Sequence, residues 1–288
     1  MKRLFAFGDS YSQYMWPMWP AIIGQNFDTT INYGHSGSGN FHIFFRVLQA
    51  LIEKKIEKND VVIVQWSIPT RFDYIDGDSG TWSCRGDNSA LNFRQNNMSE
   101  FNSDQLCILK QLAYMESLAG LLTASGCQWY FIFLSEFSMV HSSNHAEKFS
   151  IKWHINSLVY REYMAFVTSL KRYHDRFMET CFYEYIESNF GSTPWKYKCS
   201  YMYKGEHIEF VDSHPSPRQT LAWILDSGFM NSLNLDKEIM RKYADHAENA
   251  LDAACFDNMK YDPSALTQAF ANFEDQFNYK NITKTYHV

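Results

Sequence analysis

The stretch "LFAFGDSYSQ", residues 4–13, decides how the rest of the chain is read. Four apolar residues, Leu4 to Phe7, stop at Gly8, and Asp9 and Ser10 follow at once. A short apolar run closed off by turn residues predicts a strand buried on both faces. The stop itself has three chemical readings. A tight turn uses glycine for its backbone freedom, a phosphate loop uses glycine and the amides, and a hydrolase uses the serine hydroxyl.

Three more runs of the same kind follow: "TTINY" (29–33), "VVIVQW" (61–66) and "QWYFIFL" (128–134). Between them, "NFHIFFRVLQALIEKKIEK" (40–58) and "SDQLCILKQLAYMESLAGLLTASG" (103–126) carry apolar residues at helical spacing. The first ends in lysines, which suit a helix C-terminus. The second opens on Ser103 as N-cap and stops at Gly126. Strands alternating with helices predict an α/β fold around a mostly parallel, doubly wound sheet. A further strand is expected at "CFYEYI" (181–186).

Two segments interrupt the alternation. Residues 71–102 are polar and rich in Gly, Ser and Asn, longer than an ordinary connection, and read as a lid, a binding loop or variable surface. Residues 230–288 hold two amphipathic segments, 235–254 and 263–277, and read as a helical C-terminal extension beyond a main domain of residues 1–229. That extension is a route to homo-oligomers.

Composition narrows the class. A chain of 288 residues with 45% hydrophobic and 17% aromatic residues buries a large core. A net charge of −6, without a basic stripe, argues against a nucleic-acid partner. The six cysteines are scattered with no C-x-x-C pair, so they read as reduced thiols and not as a disulfide framework or zinc site. The apolar start is too short for a signal peptide, and no run approaches the ~20 residues of a membrane span. The expectation is a cytoplasmic protein or a part of a larger assembly.

The chemistry divides between the two ends of the chain. "GHSGSGN" (34–40) follows a strand and opens a helix, as a phosphate loop does, but Asn40 and Phe41 stand where Lys and Ser/Thr are required. What those glycines supply is a turn whose N–H groups form an anion or oxyanion cradle. Near the other end, "FVDSHPSPRQTLAWI" (210–224) spaces Asp212 and His214 two apart, so an extended backbone points them to one side. Ser216 and Pro217 then read as N-cap and first helical turn. The pair is the orienter-and-base half of a serine hydrolase, or else a turn-capping aspartate beside a space-filling histidine.

Gly8-Asp9-Ser10, then Asn32-Tyr33-Gly34-His35-Ser36-Gly37, then Asp212-Ser213-His214-Pro215, in that order, resemble the SGNH (GDSL) hydrolase family over roughly residues 3 to 226. The resemblance implies a flavodoxin-like, three-layer α/β/α sandwich and cleavage of esters, thioesters or O-acetyl groups, with no cofactor and no metal. It implies Ser10 as nucleophile, His214 as base and acid, and Asp212 as the group orienting His214. The N–H groups of Ser10 and Gly37 would belong to the oxyanion hole.

The chain departs from the family's pattern in two places. Asp212 and His214 take the shorter D-x-H spacing, and "QWSIPTRFD" (65–73) has Pro69 and Thr70 where the family has Asn-Asp. Ser67, Thr70, Arg71 or Asn40 are the candidates to replace the missing donor. Arg71 also reads as a handle for a substrate anion, or as a salt-bridge partner of Asp73, Asp76 or Asp78. Aromatic residues crowd the same edge: Tyr11, Tyr14, Trp16 and Trp19, then Trp66, Phe72, Tyr74 and Trp82. Of these, Trp66 and Tyr11 are candidate substrate contacts, with core packing as the alternative. The expectation is a carbohydrate O-acetyl esterase or small-ester hydrolase. The rivals are a non-catalytic glycan-binding or structural module on the same scaffold, and a sugar O-acyltransferase. His141 and His145, with His154 further on, read as surface histidines and not as a metal site.

Overall fold

The computed structural model describes residues 2–69, 71–75, 82–85, 104–134, 165–166, 168–178, 180–191, 196–203, 206–228, 232–256, 259–263, 266, 270 and 282–284. The four expected strands form as β1 (Arg3–Phe7), β2 (Thr29–Asn32), β3 (Val61–Trp66) and, after two further strands described below, β6 (Gln128–Phe133). With β11 (Ile282–Lys284) they make one parallel sheet in the order β11-β2-β1-β3-β6. The chain runs outward from β1 in both directions, so the strand order reverses beside β1. Doubly wound sheets bind ligands at such a point, in the crevice outside the strand C-termini.

Alternation along each strand builds two cores. Leu4 and Ala6 of β1, Val61 and Ile63 of β3, and Tyr130 and Ile132 of β6 face one helical layer. That layer is made by α1 (Trp19–Gly24), α4 (Phe182–Asn189), α5 (Pro217–Asp226) and α6 (Lys237–Ala254). Phe5, Phe7, Val62, Val64 and Trp66 face the other, made by α2 (Asn40–Ile52) and α3 (Asp104–Ser125). Every residue of β3 is buried, as a strand covered on both faces requires. The chain is an α/β protein, a parallel sheet between two helical layers.

Several expectations need correcting or extending. The run 181–186 is helix α4, not strand; its buried residues Phe182, Tyr185 and Ile186 recur at helical spacing. Helix α2 ends at Ile52 because Lys54 turns into the left-handed region (φ 52°), so the lysine tail lies outside it. Gly126 does stop α3, at φ +75°. Ser103 lies outside the described residues, as does most of 263–277. The described part of 71–102 is a hairpin, β4 (Phe72–Ile75) against β5 (Trp82–Arg85). Beyond α6 the C-terminal segment also contributes strands. β10 (Lys260–Tyr261) joins β9 (Cys255–Phe256) and an antiparallel pair, β7 (Lys198–Tyr203) and β8 (Glu206–Val211), in a second sheet ordered β8-β7-β10-β9. That sheet positions the Asp212–His214 segment, which leaves the end of β8. Among the described residues no helix is long and apolar enough to cross a membrane.

Candidate active site

The abrupt stop after β1 is a packing requirement. A Cβ on Gly8 would lie 2.0 Å from Ser12 Oγ and 3.0 Å from Gln65 Cβ, so only glycine fits there. Asp9 then turns inward and is fully buried. Its Oδ1 accepts from Tyr11 N (3.0 Å) and Gln65 Nε2 (2.8 Å). Its Oδ2 accepts from Ser67 Oγ (2.7 Å) and Arg71 Nη1 (2.7 Å). The loop carrying Ser10 is therefore tied to the end of β3 by a hydrogen-bonded anchor that includes the Arg71–Asp9 ion pair. Ser10 itself is 5% exposed at the C-terminal edge of the sheet.

Gln65 is the second half of that anchor. Its Oε1 accepts from Ser12 Oγ (2.9 Å) and Trp19 Nε1 (2.6 Å) while its amide holds Asp9. A lone polar residue inside "VVIVQW" was the available signal, since a buried amide is placed where it finds partners.

The turn after β2 is locked the same way. Asn32 donates to Ser12 O (2.8 Å) and accepts from Gly34 N (2.9 Å). Gly37 takes φ +82°, the left-handed conformation glycine permits. Asp73 caps the start of α2, accepting from Gly39 N (2.7 Å) and His42 N (2.9 Å). Burial, then the charges of His35 and Arg46, lower the pKa of His42 to about 3, so it is neutral, and its Nδ1 shares a hydrogen bond with Ser38 Oγ (2.8 Å). Among the described residues, no protein acceptor takes up the N–H of Ser10 or of Gly37.

Just after β8, Asp212 Oδ1 accepts from both the backbone N (2.9 Å) and Nδ1 (2.7 Å) of His214. The carboxylate is 1% exposed. Burial opposes its charge, but hydrogen bonding and charge from His214, then the hydroxyls of Tyr14 and Tyr261, outweigh it and hold its pKa below the ordinary carboxylate value. The imidazole ring lies against Tyr11 (centroids 4.8 Å), the residue after Ser10, and flat against Tyr14 (3.5 Å). With Nδ1 committed to Asp212, Nε2 is buried and, among the described residues, makes no hydrogen bond to Ser10 or to any other group. Helix α5 follows with the expected cap: Ser216 and Gln219 form a reciprocal capping box, with Pro217 in the first turn.

The remaining expected site residues fare differently. Asn40 offers no free donor, because its Nδ2 serves Ser67 O (3.0 Å) and Gln111 Oε1 (2.9 Å) and its Oδ1 accepts from Ser67 N (2.8 Å). Ser67 spends its hydroxyl proton on Asp9. Thr70 lies outside the described residues, as do His141, His145 and His154. The Arg71 guanidinium, 10% exposed, is ion-paired with the buried Asp9 (2.7 Å), a partner that the sequence reading did not name, while Asp76 and Asp78 lie outside the described residues. Trp66 is fully buried in the α2–α3 core, edge-on to Phe131, and out of reach of a substrate. Tyr11 is also buried, its hydroxyl donating to Ser213 O (2.8 Å) and lying 2.6 Å from that of Tyr183. It braces the His214 segment and offers no open face. A cavity of about 270 Å³ is lined by Arg71 together with Asn40, Asp73, Lys110, Gln111 and Tyr114 among others. Among the described residues no cluster of His, Cys, Asp and Glu is arranged to hold a metal.

No family model and no curated protein matches the chain. Among solved structures it is similar to the crystal structure of protein YXIM from Bacillus subtilis, with 10% identity and a TM-score of 0.36 over 97% of this chain. The chain spans 56% of that protein's length.

Proposed function

We propose that the chain is a serine-dependent ester hydrolase of the SGNH type, acting on a small or carbohydrate ester. The observation that supports this most is the His214 imidazole. It is fixed through Nδ1 on a buried carboxylate, packed against the residue next to Ser10, and left with an unpaired Nε2. In the reaction, Nε2 takes the proton as Ser10 Oγ bonds to the acyl carbon, then returns it to the departing alcohol oxygen as the C–O bond breaks. Water repeats the cycle in reverse, releasing the acid and restoring Ser10. The Ser10 and Gly37 N–H groups stabilise the oxyanion. With Asn40 and Ser67 committed elsewhere, the hole lacks a side-chain donor from them, and such a loss costs about 10²–10³ in rate when nothing replaces it.

One observation favours a non-catalytic module instead: Ser10 and His214 form no hydrogen bond. Catalytic contacts often tighten only when substrate binds, so this does not decide the matter. The test is steady-state hydrolysis of an activated acetate ester by the whole chain. The expected result is saturable release of acetate; product formed only when a sugar acceptor is added would make the chain a transferase. No turnover of any ester under either condition favours the non-catalytic module.

A further inference from the structure

We propose that Tyr14 and Tyr261 are positioning residues of the His214 site, so that the C-terminal segment completes a site whose other parts lie before residue 215. Its catalytic consequence rests on the hydrolase reading; its geometry does not. The four acceptor directions of the Asp212 carboxylate are all used. His214 fills two on Oδ1. Tyr14 OH (2.6 Å) and Tyr261 OH fill the two on Oδ2. The two hydroxyls are 3.4 Å apart, and Trp16 stands edge-on to both rings (4.7 and 5.6 Å) while its Nε1 donates to Pro215 O (2.9 Å).

Each tyrosine has a distinct mechanical role. Tyr14 lies flat on the imidazole, with ring planes 14° apart, and reaches round it to the carboxylate behind. It thus fixes the tilt of His214 and the rotamer of Asp212 together. Tyr261 sits in β10, pairs with Cys199 of β7, and is fully buried. Its position on the second sheet ties the carboxylate to the strand pair that delivers it.

The titratable groups facing the pair are Tyr11 and Tyr14 from the loop after β1, Tyr183 of α4, Cys199 of β7 and Tyr261 of β10. Burial is the largest cause raising the pKa of every one of these. The tyrosines therefore keep their protons at any working pH and act only as donors. A carboxylate stripped of such a donor concentrates its charge on the side facing His214, which favours the imidazolium.

The test uses Tyr261→Phe and Tyr14→Phe in the full chain, since each keeps the ring and removes only the hydroxyl. NMR titration of the His214 imidazole, without substrate, should show an upward shift of about half a pH unit or more in each variant. In the activated-acetate assay, kcat should fall about ten- to a hundredfold with little change in KM, and the acid limb of its pH profile should move with the NMR value. A shifted imidazole in the variants, together with a wild-type chain that turns over no ester, would sink the hydrolase reading and leave the positioning role standing. Unshifted titration in both folded variants overturns the proposal. Should Tyr261→Phe not fold, half-buried Tyr14 carries the same test alone.

Discussion

Replacing His214 by alanine is expected to lower turnover of an activated acetate by about 10³-fold or more. General-base catalysis is worth about 10²–10⁴, and removing one member of a nucleophile–base unit disables the unit. An activated leaving group needs no protonation, so the loss reports the base role of Nε2 and not its acid role. The fold should survive, because Asp212 keeps its bonds from Tyr14, Tyr261 and the backbone N of residue 214. Activity within a few-fold of wild type, in a protein with unchanged melting behaviour, would remove His214 from the mechanism.

The largest effect on stability is expected at Arg71→Met. The substitution keeps length and apolar stem but leaves Asp9, with its fully buried side chain, short of its charged partner. Breaking a buried pair from one side costs about 3–5 kcal/mol, against ~0–1 kcal/mol for a surface pair. Tyr11 N, Gln65 and Ser67 still donate to Asp9, which places the expectation near the lower end, about 3 kcal/mol. Denaturant titration reads it as a lowered midpoint at constant slope. Adding Asp9→Asn to Arg71→Met should recover part of the loss, because the unpaired charge is gone. A shift under ~1 kcal/mol would mean that the anchor is solvated and does not hold the Ser10 loop.

The central sheet was legible in the sequence because its strands are buried on both faces. "LFAF", "VVIVQW" and "QWYFIFL" are near-continuous apolar runs that no surface helix would tolerate. The run 181–186 misled for the opposite reason: with aromatics at 182, 183 and 185, six residues suit either period, and burial of Phe182 with Tyr185 and Ile186 shows the helical one. The hairpin that delivers Asp212 was missed although "KCSYMYKGEHIEFV" (198–211) alternates about Lys204-Gly205, a hairpin signal.

At the candidate site, residue types did not show which partners each side chain takes. Arg71 and Trp66 stand at the end of a strand, yet one is ion-paired with Asp9 and the other is fully buried. Asp9 attracts Arg71 because a buried carboxylate must be paired, and Trp66 follows the inward alternation of β3. Tyr261 had no signal at all, since its contact with Asp212 spans 49 residues and depends on a second sheet.

The reading of Ser10 as a nucleophile is tested most directly by intact-mass analysis after exposure to a fluorophosphonate probe, which reacts with activated serines. The account predicts one probe mass added to the wild-type chain, lost in Ser10→Ala and strongly reduced in His214→Ala. A wild-type chain that stays unlabelled, or a label that persists in Ser10→Ala, would contradict it.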